Sequence, residues 1–285
     1  MNCKCFTKNG QPCSRLAIPP SQYCWQHQSC SVKTQNPDTV IKRIGRQRTL
    51  NTIKPGVLTV SAYANFFPVC YKEKSQLKGL DVDLMKEFGK LSGLQVVFIE
   101  KEKFDGIWLD PVNGISDVAI GGIGMSKKRT TVQTEFSIPY FYVARTLVYN
   151  LRDPVKTLKG ITNTTRATYN STGFIDAKLR LQKLGLDHFL QYGKTDQQDI
   201  QDLLDGKIQG LFRGSFVVKS IIKQYPQLDM IKPWNIDSSL VTDGQEVFAY
   251  PTNKDSGIAV VLSMMLTKDI MTKNLKHLID KYDLE

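Results

Sequence analysis

The chain has 285 residues, 41% hydrophobic, 23% charged and 9% aromatic, with 38 Lys and Arg against 27 Asp and Glu for a formal net charge of +11. This composition excludes a disordered tail, a collagen-like repeat and a disulfide-dense miniprotein, and the length suffices for one or two domains with a buried core. No apolar run approaches the roughly 18 residues of a membrane-spanning helix; the best, over 258–266, is broken by Ser263, so no membrane insertion is expected. The charge is unevenly placed. Residues 1–54 hold nine Lys and Arg and one acid, Asp38, while the rest of the chain is nearly balanced.

In chain order, five of the six cysteines fall within the first 30 residues, among Lys and Gln and without the apolar stretch of a secretory signal. An intracellular location follows as the expectation, and in a reducing compartment clustered cysteines favour a metal over disulfides. Cys24 and His27 are spaced to reach one ion, and two more thiolates would complete a tetrahedral zinc site. Residues 31–54 are polar and basic and read as a linker.

From Pro55 the pattern changes. A buried strand is expected over 57–60, a turn-rich stretch over 62–68, and then a helix with Leu84, Phe88 and Leu91 on one face, capped by Asp81 or Asp83. A strand over 95–100 completes a βαβ unit and implies a parallel sheet. A helix-like stretch over 104–112 leads to a strand over 118–120, a glycine-rich turn, a cationic segment and a strand over 146–149. The pattern then repeats: strand 166–169, helix 173–184, helix 197–204 capped by Thr195 or Asp196, strand 209–212 and helix 217–222. A strand over 247–250 and two helices over 255–281 finish the chain. The expected architecture is α/β: one lobe from 55–149 with 248–285, a second from 150–247, and a small N-terminal zinc knuckle over 1–30 ahead of the linker.

Two segments carry a resemblance. Cys3-Lys4, Thr7-Lys8, Gly10, Cys13, Tyr23-Cys24 and His27 resemble a short cysteine-histidine module found in many proteins of giant DNA viruses. The resemblance implies Zn2+ held by Cys3, Cys13, Cys24 and His27, and host cytoplasm or virion as the intracellular setting. The basic segment around it could touch nucleic acid, with Phe6, Tyr23 or Trp25 stacking on bases, or could recruit a protein.

Further on, Gly56-Val57-Leu58-Thr59-Val60, Gly79-Leu80-Asp81-Val82-Asp83-Leu84, Gly114-Ile115-Ser116-Asp117-Val118-Ala119-Ile120, Met125-Ser126-Lys127-Lys128-Arg129 and Phe136-Ser137-Ile138-Pro139-Tyr140 appear in order. Together they resemble the type II periplasmic solute-binding fold, in the family that binds amino acids and related small molecules. The resemblance implies an inter-lobe cleft in which Arg129 clamps a carboxylate, a role suited to the planar guanidinium fork. It assigns Phe66 and Phe104 to the ligand walls, and Asn170, Ser171 and Thr172 to the facing turn of the second lobe.

This chain departs from that family in carrying Gly121, Gly122 and Gly124 where hydroxyl residues are usual, with Gly122 and Gly124 keeping backbone donors for the ligand and widening the pocket. The family's acid for an α-ammonium falls at Gly214, beside Arg213, so a small anion without an amino group is favoured over a plain α-amino acid. The favoured function is non-catalytic binding of a small anionic solute, carboxylate or amino-acid-like. Alternatives are a cyclohexadienyl (prephenate) dehydratase-like enzyme or a captured domain with no ligand. No Ser-His-Asp or Cys-His constellation is recognisable, and no proton carrier stands near Asn65 or Gly214.

Overall fold

The computed structural model describes residues 50–237, 239–241 and 246–284. The expected zinc ligands Cys3, Cys13, Cys24 and His27, and most of the basic linker, lie outside the described residues.

Strand β1 (Val57–Tyr63) is buried along almost its whole length, as a strand with parallel neighbours on both sides must be. Where a turn was expected, the chain makes a small antiparallel sheet of β2 (Asn65–Phe66), β3 (Cys70–Glu73) and β4 (Gln76–Lys78). Helix α1 (Leu80–Ser92) buries Leu84, Met85 and Phe88 and stops at Gly93 in the left-handed conformation. Neither Asp81 nor Asp83 caps it. Gly79 is the N-cap, Asp81 turns into the core, and Asp83 accepts from Lys281 and from the Tyr282 hydroxyl.

Strand β5 (Gln95–Lys101) follows, and then the stretch over 104–112 forms a single 3-10 turn, Ile107–Leu109, rather than a helix. Gly106 enters it at φ +80, and Asp110 leaves it to bind Ser61 Oγ at 2.6 Å and Lys101 Nζ at 2.9 Å. Strands β6 (Val118–Ile120) and β7 (Thr134–Phe136) complete the first half of the chain.

The chain then passes through β8 (Phe141–Val143) into β9 (Arg145–Asn150), which belongs to a second sheet. That sheet also takes β10 (Thr165–Ala167), β11 (Leu190–Tyr192), β12 (Gly210–Gly214) and β13 (Leu228–Met230). Three helices alternate with these strands: α2 (Thr172–Gln182), α3 (Asp196–Leu204) and α4 (Ser215–Gln224). Ser171 caps α2 and Thr195 caps α3, each accepting an amide N–H three residues on. With Thr195 as the cap, the Asp196 carboxylate is free to face elsewhere. The chain returns through β14 (Glu246–Phe248) to β15 (Pro251–Asn253) and ends in α5 (Ile258–Thr272) and α6 (Asn274–Lys281). Among the described residues no helix is long and apolar enough to cross a membrane.

The two sheets repeat one plan. The first runs β5-β1-β6-β15-β7 and the second β11-β10-β12-β9-β13; in each, three parallel strands are followed by one reversed strand, β15 or β9, which pairs antiparallel with both its neighbours. The two crossings pair with each other as an antiparallel ribbon, Glu246 opposite Val143 and Phe248 opposite Phe141. The main core holds Leu58, Leu84, Phe88 and Ile120, all essentially without solvent contact; each such side chain stabilises the fold by roughly 1.5–3 kcal/mol through burial. This core runs on through Phe141 and Phe248 of the ribbon to Phe216, Leu203 and Leu211 of the second half. The parallel strands point their carboxyl ends at the gap between the sheets, the location where open α/β sheets place ligands.

A cationic cleft between the two sheets

A cavity opens at those strand ends and gathers all eight cleft residues expected from the sequence. Phe66, Phe104, Gly122, Gly124 and Arg129 line it from the first half, and Ser171, Thr172 and Arg213 from the second. Arg129 is the central feature. It lies in a 3-10 turn after β6 and is 3% exposed. Its Nη1 donates to the Gly124 carbonyl at 2.9 Å and to Thr172 Oγ1 at 3.3 Å, and its Nη2 donates to the Asn170 carbonyl at 3.4 Å. The Trp108 ring lies 4.4 Å from its Cζ and the Phe104 ring 5.2 Å, so the guanidinium plane is held between aromatics and across the gap. Burial pulls its pKa down to about 10, still far enough above neutrality that it keeps its charge. Among the described residues no carboxylate lies within ion-pair distance of it.

The other two arginines of the cavity are engaged. Arg145, at the start of β9, grips Glu246 with both Nε and Nη2, the first at 2.6 Å to Oε2. Arg213 Nη2 donates to Asp196 at 2.9 Å and Asp199 at 3.2 Å. The reversal of sign expected at this end of the cleft from Arg213 does not occur, because Asp196 and Asp199 neutralise it. Burial pushes the Asp196 carboxyl up, against the pull of Arg213. Burial first, and then the charge of Asp196, push the neighbouring Tyr63 hydroxyl up to about 12, which keeps it a donor at neutral pH.

The glycines do not widen the pocket as expected. A side chain at Gly122, which sits at φ +65, would meet the Phe66 ring at 2.4 Å. A Cβ at Gly124 would lie 3.0 Å from Thr172 Oγ1, 3.1 Å from Glu246 Oε1 and 3.3 Å from Arg129 Nη1. The room left by the missing side chains is filled by an aromatic ring in one case and by converging polar groups in the other. The Gly122 amide is not available to a ligand either, since it donates to Asp81. At Gly214 a Cβ would meet the Phe216 ring at 2.3 Å, so the packing itself leaves no place for an acid there.

Tyr63, Arg145, Asp196 and Glu246 line the cavity without having been picked out as ligand contacts from the sequence. Asp196 had been read only as a possible helix cap. Arg145 and Glu246 are 101 residues apart, and no local motif joins them. At the cleft mouth the Asn170 side-chain amide donates to Asp105 of the facing half, a second contact that spans the gap.

The model for bacterial extracellular solute-binding proteins, family 3, matches residues 58–283. A probable histidine-binding protein of Campylobacter jejuni is 24% identical over 258 residues, which span 89% of this chain and 93% of the relative. Among solved structures, an ancestral arginine-binding protein bound to arginine superposes with a TM-score of 0.68 at 22% identity, over 80% of this chain and 98% of its own. An arginine-, lysine-, histidine-binding protein from Geobacillus stearothermophilus gives 0.66 at 22% identity, over 79% and 94%. The structural likeness establishes the two-lobed fold.

Proposed function

Because the chain belongs to the bacterial extracellular solute-binding proteins, family 3, we propose that it binds a small amino-acid-like solute between its two lobes, with Arg129 taking the carboxylate. One observation carries this reading: a buried, aromatic-stacked guanidinium facing the N-terminus of α2 with no carboxylate of the described residues within ion-pair distance of it. A buried cation without a counter-ion is costly unless something brings the missing charge, and a solute carboxylate would bring it. Asp196 and Glu246 in the same cavity give a solute's amino group acids to approach. The curated relative and the superposing structures bear names of amino-acid-binding proteins, which supports the same class.

The test is a thermal-shift and calorimetric screen of the full chain against the common L-amino acids, with dicarboxylates and 2-oxo acids as a second arm. A solute at a hundred times its Kd stabilises by about 2.7 kcal/mol, a rise in melting temperature of roughly 5–11 °C for a domain of this size. We expect an α-amino acid to produce it. If only carboxylates without an amino group do so, the anion expected from the sequence is the better reading; if neither arm does, the binding reading fails.

On the resemblance of residues 3–27 to the cysteine-histidine module we further propose that Cys3, Cys13, Cys24 and His27 hold one zinc ion. Native mass spectrometry of the full chain is expected to show one zinc, absent in Cys24→Ser. A chain that carries no metal would end that proposal.

A further inference from the structure

One buried acid takes no part in the cleft described above. Asp81, in the first turn of α1, has no solvent contact, and among the described residues no cation lies within ion-pair distance of it. Its carboxylate instead collects four donors. Oδ2 accepts the backbone N–H groups of Gly121 at 2.8 Å and Gly122 at 3.0 Å, and Oδ1 accepts the hydroxyls of Tyr140 at 2.6 Å and Tyr250 at 3.0 Å.

The positions of those donors matter. Gly121 and Gly122 open the loop after β6, both with positive φ, and two residues later the Gly124 carbonyl receives Arg129 Nη1. Tyr140 immediately precedes β8, and Tyr250 follows β14 by two residues, so the pair marks the first-sheet ends of both crossings. Their rings stack at 4.5 Å and 9°. One carboxylate therefore ties the loop that leads to the cleft cation to both strands that cross between the two sheets. Two amides aimed at one oxygen also fix the loop's path more narrowly than apolar contact would, because hydrogen bonds are directional.

We infer that Asp81 is a positioning residue for solute binding: it sets the 121–124 loop, and through it Arg129, in register with the crossing strands. This rests on the proposed function of the same cleft. A residue that only fills the core would cost stability when removed and leave the affinity of the folded protein unchanged. A positioning residue changes that affinity.

The full-length protein is compared with Asp81→Ala, Asp81→Asn and the pair Tyr140→Phe with Tyr250→Phe. Two quantities are read: hydrogen exchange of residues 121–124 without solute, and affinity for the amino acid found in the screen, per folded molecule. In Asp81→Ala, exchange at Gly121 and Gly122 should quicken at least tenfold and affinity fall about tenfold. Asp81→Asn should recover most of both, because its amide oxygen still accepts the two glycine N–H groups while its NH2 turns to the tyrosines. The double phenylalanine variant should fold and lose affinity several-fold. Unchanged exchange and affinity in a folded Asp81→Ala would overturn the inference; if that variant does not fold, wild-type affinity in the double phenylalanine variant overturns it instead. Should the wild type bind no solute, the functional reading fails by itself, and the exchange measurement alone then decides whether Asp81 holds the loop.

Discussion

Arg129→Ala is expected to remove the solute-induced rise in melting temperature and to weaken binding by two to three orders of magnitude. Removing one partner of a buried, hydrogen-bonded charge pair costs about 2–5 kcal/mol of affinity, and Arg129 is buried and aimed across the gap at Thr172 and Asn170. Arg129→Lys keeps the charge but loses the planar fork and its stacking on Trp108, so it should recover only a small part of the loss. The stability of the solute-free protein should move the other way. A desolvated cation with no direct ion pair burdens the empty fold, so Arg129→Met should melt at or above the wild-type temperature. Calorimetric titration and a thermal melt without solute measure the two effects. A clear drop in the melting temperature of Arg129→Met, with binding intact, would make Arg129 an ordinary structural cation.

The second large effect concerns Glu246. Its carboxylate is buried, and the guanidinium of Arg145 that grips it is only 13% exposed. Pairs of this kind contribute little relative to apolar residues of the same shape, yet breaking one strands the partner charge at about 3–5 kcal/mol. Glu246→Ala should therefore lower stability by that amount, roughly 6–20 °C in melting temperature for a domain of this size. Arg145→Met combined with Glu246→Leu should restore most of it. Denaturant unfolding of Arg145→Met, of Glu246→Leu and of the two combined closes the cycle. A cost below about 1 kcal/mol for Glu246→Ala would show the pair to be screened by solvent.

Much of this site was legible in the sequence, for a physical reason. Strands β1 and β6 are short apolar runs that only a doubly covered parallel sheet accommodates. The loops that follow such strands fall at one end of the sheet; that Gly122, Gly124, Arg129, Ser171 and Thr172 in those loops meet in one cleft is implied by the family resemblance and not by strand geometry alone. The ion pairs were not legible. Arg145 meets Glu246, and Arg213 meets Asp196, only because two crossing strands and a helix start are folded back on the cleft. The sequence assigned Arg213 a free charge because its partners were invisible. The stretch over 104–112 has helical spacing, but Gly106 in a left-handed conformation and the pull of Ser61 and Lys101 on Asp110 hold it to one turn. The small β2–β4 sheet has strands of two to four residues, too short for alternation to show.

The aromatic rings where the chain crosses between sheets have a consequence for how the protein can be divided. Phe216 lies 5.0 Å from Phe141, 5.5 Å from Phe248 and 6.0 Å from Phe66, so rings from both halves and from both crossings form one cluster. Gene fragments that separate the halves would leave each with part of this cluster bare to water. The two halves thus share one packed cluster despite their separate sheets, and the partition that defines a ligand cleft is not one along which that cluster divides.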